Sequence, residues 1–276
     1  MAVLQARPEP IRDRWGRYVI PDPVTGEERS WIRDTTWAST VADNFALTRW
    51  QLRMVALGLA RRSDLMAGVA AVLDPETKDG KRRLDQFVED AKEHAGGTAR
   101  STIGTALHSF AEAVDTDRQV EIPAPWDRDI EAYRRTLRAA GIKVSANYVE
   151  KVCLVQRYGV AGTMDRLIAF EDRILIGDLK TGRDLVYSWT EIAIQLALYA
   201  HADTVFDPIE KRHRPMLAVD QEKALVIHLP AGEGRCTLYL VDIAAGWQMA
   251  EVCGAVRDWR ARRDLATPLG YGIEPR

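Results

Sequence analysis

Residues 159–182, GVAGTMDRLIAFEDRILIGDLKTG, constrain the fold of this chain more than any other segment. The two apolar runs in it, 160–170 and 173–180, contain few breaks and are joined by a short acidic turn, so the pattern predicts a β-hairpin. Along the second run, the period of two places four residues on one face: Ile174, Ile176, Asp178 and Lys180. Burial of a carboxylate and an ammonium in a sheet is unfavourable by several kcal/mol for each ion unless other groups compensate.

Asp165 lies on the first run, and a hairpin brings its carboxylate beside that of Asp178. Converging carboxylates are the oxygen ligands that Mg²⁺ and Mn²⁺ prefer. A lysine next to them orients an attacking water and stabilises the negative charge of a phosphoryl transition state. With Lys180, the two aspartates therefore indicate metal-assisted phosphodiester hydrolysis. Taken alone, Asp178 and Lys180 also fit a salt bridge at a frayed strand end.

Two predicted helices carry polar residues at helical spacing. In STIGTALHSFAEAVD, His108 shares a face with a glutamate one turn later. In WTEIAIQLALYAHA, Gln195 and Tyr199 share a face in the same way. A lone helical histidine is more often a satisfied core or surface residue, and a polar stripe on a core helix is common. Both helices thus allow a purely structural interpretation. Gln195 and Tyr199 also suit a second role, hydrogen bonding to a DNA phosphate or holding Lys180 in place.

The whole chain is predicted to fold as an α/β (α+β) protein, with a small mixed central sheet flanked by helices and a helical N-terminal extension. Residues 1–30 indicate an irregular arm or a short hairpin. We divide the chain into an N-terminal arm and extension, 1–100, packed on a core, 101–276, and expect one compact unit. The predicted helices are 35–71, 82–94 (ended by Gly96-Gly97), 101–115, 127–140, 189–205 and 245–264, and the predicted strands are 148–156, 160–170, 173–180, 224–229 and 236–243.

The composition is that of a soluble globular protein, with 46% hydrophobic residues and 38 Lys+Arg against 40 Asp+Glu, a formal charge of −2. This near balance is only a weak argument against nucleic acid binding, because acidic residues elsewhere can dilute a basic patch. No segment reaches the roughly 18 apolar residues that cross a bilayer, and the N-terminus lacks a signal-peptide core. We expect a cytoplasmic protein with no membrane partner, located in the bacterial host cytoplasm if a phage encodes it.

Four motifs, GTALHSFAE, GTMDRL, GDLKTG and QLALYA, occur in this order, each on the predicted kind of element. Together they resemble the RecB-type branch of the PD-(D/E)XK nuclease superfamily. That branch includes bacterial recombination nuclease domains, the iron–sulfur nucleases of CRISPR adaptation and many phage exonucleases. The segment 35–59, TTWASTVADNFALTRWQLRMVALGL, also resembles the opening helices of actinobacterial-phage members. The resemblance implies a PD-(D/E)XK, restriction-endonuclease-like core.

The resemblance also implies a role for each matching residue. One or two Mg²⁺ or Mn²⁺ ions would be held by His108, Asp165, Asp178, the Leu179 carbonyl and, directly or through water, Glu150. The catalytic set would be Asp165, Asp178, Lys180, Gln195 and Tyr199. In that set, Lys180 would be the catalytic lysine, and Gln195 and Tyr199 would position Lys180 or the scissile phosphate.

Two features separate this chain from some relatives. Iron–sulfur members of the branch carry four cysteines, whereas this chain has three, without a CxxC spacing: Cys153, Cys236 and Cys253. We therefore expect no iron–sulfur cluster. Helicase-fused members contain a Walker phosphate loop, and no GxxxxGK[ST] occurs here, so we expect a nuclease without a motor.

The resemblance implies a divalent-metal-dependent DNA exonuclease acting in recombination, repair or phage replication. Three alternatives remain: a structure-selective or flap endonuclease, a non-catalytic DNA-binding recombination accessory, and an unrelated α/β protein with chance motifs. The expected partners are linear DNA and a single-strand annealing or recombination protein. Polarity, strand preference, RNA cleavage and oligomeric state stay open. Candidate DNA-binding cations, which a solvated helix face also explains, are Arg49, Arg53, Lys81, Arg82 and Arg83.

Overall fold

The structure, a computed structural model, describes residues 10–96, 99–267 and 269. Gly97, the predicted end of the second helix, and the first nine residues of the predicted arm lie outside the described residues. The helices within them are α1 (Asp34–Ala38), α2 (Phe45–Arg61), α3 (Ser63–Ala70), α4 (Lys78–His94), α5 (Ala99–Asp115), α6 (Trp126–Ala139), α7 (Trp189–Ala200) and α8 (Ile243–Ala261). The strands are β1 (Tyr18–Pro21), β2 (Glu28–Arg33), β3 (Lys143–Val155), β4 (Val160–Phe170), β5 (Arg173–Lys180), β6 (Thr204–Asp207), β7 (Arg212–Pro215), β8 (Lys223–His228) and β9 (Thr237–Asp242).

The strands form one mixed sheet whose main path runs β7-β6-β3-β4-β5-β8-β9. Neighbours on this path are antiparallel except β5 and β8, which are parallel. The hairpin of β1 and β2 joins through a short parallel pairing of β2 with the start of β4. The predicted mixed sheet flanked by helices is confirmed.

Helices cover both faces of the sheet, and each face has its own apolar core. On one face, α7 and α8 cover the sheet, and Leu196 of α7 belongs to the same cluster as Ile176 and Val226 of the strands. On the other face, α5 and α6 cover the sheet, and Leu107 of α5 belongs to a second cluster with Ile168 and Leu179 of the strands. Beside α5, the β1–β2 hairpin covers the outer strands through Trp31, Leu154 and Phe206. Alternation along the strands sends successive side chains into these two layers.

The hairpin 160–180 forms as predicted, and the N-terminal arm folds into the β1–β2 hairpin. The helix predicted for 189–205 was too long, because α7 ends at Ala200. Thr204 and Val205, with branched side chains, instead pair with β3 as β6. The helix predicted for 35–71 is divided into α1, a 3₁₀ turn, α2 and α3. Helices α2, α3 and α4 pack mainly on one another, whereas α1 contacts β4, α7 and α8.

Among the described residues, no helix is both long and apolar enough to pass through a lipid bilayer.

The crossing of α7 and α8 yields a test of the packing. Gly246 lies where a Cβ would overlap the Ala193 carbonyl oxygen. We expect Gly246→Ala to push the two helices apart and to lower the free energy of unfolding, measured in urea, by about 1–3 kcal/mol. The control is Gly254→Ala on the same helix, where the new Cβ meets Trp37 at 3.4 Å. There, higher helix propensity raises stability by up to about 1 kcal/mol; equal effects of both changes would contradict the close crossing.

Candidate metal centre and active site

The site lies at a break in the pairing of one edge of β4. β2 pairs with β4 up to Ala161, and β5 pairs with the same strand from Arg166 onward. Side chains fill the interval between these pairings. The Thr163 carbonyl accepts a hydrogen bond from the Tyr199 hydroxyl at 3.0 Å. The Asp165 carboxylate accepts the Leu179 backbone N–H at 2.7 Å. The break therefore draws residues of both helical layers to one point of the sheet.

His108, Glu150 and Asp165 each offer one ligand atom, and these three atoms lie within 4.8 Å of one another. In the β3–β4 ladder, Val149 pairs with Arg166 and Lys151 pairs with Met164, so the residues between them, Glu150 and Asp165, lie opposite each other. Like charges in such positions destabilise a sheet. Glu150 also has a φ of 52°, a left-handed backbone that is unfavourable by about 1–3 kcal/mol for a non-glycine residue. Repulsion and strain at one point are typical of a functional site, and a cation would remove the repulsion.

The donor set suits a divalent cation. Carboxylate oxygens are preferred by Mg²⁺ and Mn²⁺, and an imidazole makes Mn²⁺ the better match. Burial lowers the pKa of His108, although Asp165 raises it, so the imidazole is neutral at pH 7. The neutral ring has the lone pair that a metal needs. Its Nδ1 is 3.6 Å from Asp165 Oδ2, too far for a hydrogen bond. The residues present therefore fit an ion of this class.

Next to this group, at the end of β5, the half-buried Lys180 forms an ion pair with the buried Asp178. Lys180 Nζ lies 2.9 Å from Asp178 Oδ2 and donates a hydrogen bond to Oδ1 at 3.1 Å. Burial raises the pKa of Asp178 to about 6, although Lys180 lowers it. Burial alone would lower the pKa of Lys180, but Asp178 and Asp165 outweigh it and the pKa rises. At pH 7 the pair is therefore ionised. The sequence also allowed a salt bridge at a frayed strand end. The structure excludes a frayed end, because Asp178 is only 2% exposed.

A chain of hydrogen bonds leads from Lys180 to the N-terminal part of the protein. Lys180 Nζ donates to Gln195 Oε1 at 3.3 Å, and Gln195 Nε2 donates to Asp34 Oδ2 at 2.7 Å and to the Tyr199 hydroxyl at 2.9 Å. The single proton of the Tyr199 hydroxyl is shared between the same Asp34 oxygen, at 2.5 Å, and the Thr163 carbonyl. Because Asp34 Oδ2 accepts from the Gln195 amide nitrogen, the Gln195 oxygen is turned toward Lys180.

The sequence does not single out Asp34, which lies in the segment predicted as the N-terminal arm and extension, 1–100, outside the core. Asp34 begins α1 directly after β2, and its buried position depends on the parallel pairing of β2 with β4. Burial raises the pKa of Asp34, and the hydrogen bonds from Tyr199 and Gln195 lower it. The sequence holds one indication of this buried residue, the glycine at position 162, where a Cβ would lie 2.5 Å from Asp34 Cγ. The glycine of GVAGTMD therefore makes room for a buried carboxylate.

The structure brings the predicted site residues together in two neighbouring groups. The metal group contains His108, Glu150 and Asp165. Asp178, predicted as a ligand, instead pairs with Lys180, and its role as a ligand stays a prediction. The backbone of Leu179 bonds to His108 and to the Asp165 carboxylate, so it lies at the site. Gln195 and Tyr199 contact Lys180 directly or through one another.

Two clefts meet at the metal group and share Ser109, Glu112 and Glu150. The first cleft, of about 940 Å³, has an apolar wall of Ile103, Trp126 and Ala231 and contains Arg183. The second cleft, of about 640 Å³, runs along the β1–β2 hairpin, and its cations are Arg12, Arg33, Arg118 and Lys151. A chain-like ligand that crosses the metal group would occupy both clefts.

The five cations predicted to bind DNA lie on the α2–α4 helices: Arg49, Arg53, Lys81, Arg82 and Arg83. In the part of the chain that the structure describes, these residues line neither of the two clefts. Lys81 pairs with Glu76 at 3.0 Å and Arg82 with Asp79 at 2.5 Å. DNA binding by this helical surface stays a prediction.

Comparisons with known proteins do not assign a family. No family model matches the chain, and no curated protein matches it. A solved structure described as "Crystal structure of SSO0001" is similar at 14% sequence identity, with a TM-score of 0.30. The similarity covers 64% of this chain and 70% of that chain. At such a TM-score the likeness supports no conclusion about fold or activity.

The buried Asp178 predicts a pH dependence of the metal-free protein. Its folded pKa of about 6 exceeds the unfolded value of 3.8, so the folded state binds a proton more tightly between these values. The contribution of Asp178 to stability is therefore fully present below about pH 4 and is lost as the pH rises through about 6. We expect wild type to lose unfolding free energy relative to Asp178→Asn between pH 4.5 and pH 7.5, measured in urea with chelator.

The control for this measurement is Asp220→Asn. Because backbone N–H groups and Arg173 outweigh burial and lower the pKa of Asp220, its contribution is lost only as the pH falls through that lowered value. The stability difference between wild type and Asp220→Asn should stay constant from pH 4.5 to pH 7.5. A constant difference for Asp178→Asn as well would show that its pKa is not raised.

Proposed function

We propose that this protein is a divalent-metal-dependent DNA nuclease with a core of the PD-(D/E)XK type and of its RecB-type branch. The observation that carries the proposal is that two groups lie side by side: the His108, Glu150 and Asp165 ligand set, and the Lys180–Asp178 ion pair. Leu179, which lies between Asp178 and Lys180 in the chain, links them by donating its backbone N–H to Asp165. Carboxylates, a neutral imidazole and a charged lysine at one recessed point suit hydrolysis of a phosphodiester. The four sequence motifs resemble that branch independently of the geometry.

Mg²⁺ or Mn²⁺, held by His108, Glu150 and Asp165, would polarise the phosphate and lower the pKa of a bound water. Lys180 acts as a hydrogen-bond donor and a positive charge, because its raised pKa makes it a poor proton acceptor. Two of its three protons go to Asp178 and Gln195, which leaves one for a water or a phosphate oxygen. Gln195, held by Asp34, fixes the direction of that third proton.

Exonucleolytic processing of DNA ends is the first form of this activity that we propose, with linear DNA as substrate and a recombination protein as partner. The two clefts favour a second form, a structure-selective or flap endonuclease. A strand that occupies both clefts has nucleotides on each side of the scissile phosphate, and cleavage then needs no free end. Cutting of a covalently closed single-stranded circle in Mn²⁺ would identify the endonuclease, and degradation of linear DNA only would identify the exonuclease.

Replacement of the lysine tests the reaction itself. We expect Lys180→Ala to lower the Mn²⁺-dependent hydrolysis of end-labelled linear DNA by at least about 100-fold, because a positioned charge facing the transition state is removed. The label at the 5′ or 3′ end reports polarity in the same assay. Lys143→Ala, at the exposed start of β3, is the control and should keep the wild-type rate. Hydrolysis by Lys180→Ala at the wild-type rate would refute the proposed site.

Replacement of the histidine tests the metal group. We expect His108→Ala to raise the Mn²⁺ concentration for half-maximal hydrolysis by at least about tenfold, since even the loss of an outer partner of a ligand weakens metal binding that much. Excess Mn²⁺ should restore part of the rate, because the two carboxylates remain. His94→Ala, at the exposed end of α4, provides the control. An unchanged Mn²⁺ requirement in His108→Ala would exclude the imidazole as a ligand.

A further inference from the structure

A completely buried arginine lies directly behind the metal group. Arg166 follows Asp165 on β4, and its side chain is 0% exposed. Its Nη1 lies 3.0 Å from Asp115 Oδ2 and donates to the Tyr133 hydroxyl at 2.6 Å. The Tyr133 hydroxyl donates in turn to Asp115 Oδ1 at 2.7 Å. The three residues, called the α5 lock below, join β4, the last residue of α5 and the middle of α6.

The α5 lock is expected to contribute little to the stability of the fold. Arg166 Nε and Nη2 are buried and have no hydrogen-bond partner among the described residues. Well-packed apolar side chains of similar volume stabilise a core as well as, or better than, a buried ion pair does. Buried ionic groups of this kind are best known for fixing the register of the elements that they join. The arrangement of the lock therefore indicates that it fixes the relative position of β4, α5 and α6.

Both ends of the lock are tied to metal ligands. Asp115 is seven residues after His108 on α5, which places both side chains on nearly the same face of the helix, about 10 Å apart along its axis. Arg166 is the chain neighbour of Asp165. The pairing of Arg166 with Asp115 therefore sets the rotation and the axial position of α5 relative to β4. A rotation of α5 by one residue, about 100°, would carry His108 away from Asp165.

We propose that Arg166, Asp115 and Tyr133 are positioning residues that hold His108 in reach of Asp165 and Glu150. The inference rests on the proposed function for the identity of the bound ion, but it concerns metal binding and not hydrolysis. Apolar packing alone lets a helix slide or turn on a sheet at little energetic expense, whereas a charged pair with a bridging hydroxyl has one geometry. The lock thus keeps the ligand set assembled.

The test replaces the lock with apolar residues, in the variant Arg166→Met/Asp115→Leu/Tyr133→Phe. Mn²⁺ binding is measured by titration calorimetry of the whole chain, and the melting temperature is recorded for each variant. We expect the melting temperature to be retained and the Kd for Mn²⁺ to rise at least about tenfold, as for other groups that orient a metal ligand. Tyr133→Phe, which keeps the ion pair, should show a smaller rise.

The control is Leu137→Ala, which opens a purely apolar cavity one turn after Tyr133 on α6. It should lower the melting temperature and leave the Kd for Mn²⁺ unchanged, so that lost stability and lost positioning are separated. Should the triple variant fail to fold, Asp115→Asn serves in its place, because it keeps the shape of the side chain and removes its charge. A wild-type Kd in the folded lock variant would overturn the proposal.

The same experiment separates this inference from the proposed function. Mn²⁺ binding by the wild type without hydrolysis of DNA would overturn the nuclease and leave the lock supported by its effect on the Kd. Hydrolysis by the wild type together with an unchanged Kd in the lock variant would overturn the lock alone. Failure of the wild type to bind Mn²⁺ would overturn both.

Discussion

The break in the pairing of β4 is the feature on which the site depends. A continuous strand partner along this edge would satisfy the backbone between Ala161 and Arg166 and would exclude the groups that now occupy the interval. Here the Asp165 carboxylate and the Tyr199 hydroxyl bond to backbone groups instead. One of these side chains comes from β4 and the other from α7. The break in strand pairing therefore depends on how α7 packs on the sheet. The metal group lies beside it, with His108 supplied from the opposite layer.

Buried charge is the second constraint, and it is balanced locally. Lys180 lies among acceptors, with Asp178 as its ion-pair partner and Gln195 as a neutral acceptor. Asp34 is buried, and Gln195 and Tyr199 both donate to its Oδ2. Donors and acceptors alternate along this series of hydrogen bonds. If one member were replaced, its neighbour would lose its partner or would have to turn its donor and acceptor atoms around. Such a network permits few side-chain arrangements, as the proposed role of Lys180 in directing one proton toward a ligand would require.

The sequence predicts the parts of this site that depend on short-range pattern. Asp165, Asp178 and Lys180 follow from the alternation of one hairpin, and Gln195 and Tyr199 follow from helical spacing together with the resemblance of their motif. Asp34 was missed because its burial depends on the parallel pairing of β2 with a strand more than a hundred residues later, and no local pattern carries that information. Thr204 and Val205, the first two residues of β6, were included in a predicted helix for a similar reason. These branched residues gain their strand conformation from pairing with β3.

The repulsion between the opposed carboxylates Glu150 and Asp165 is partly offset even without a metal ion. Two cations flank them, the completely buried Arg166 and the half-buried Lys180. Arg166 is attracted by Asp165 and Glu150 from behind, and Lys180 is attracted by Asp178 and Asp165 from beside the site. At low dielectric these attractions offset part of the repulsion between the carboxylates. Under the proposed function, the ligand set would be assembled before an ion binds, so little of the binding free energy would be lost to ordering the site. In a chain with a net charge of −2, the placement of a few charges therefore decides what the site can bind, and their total does not.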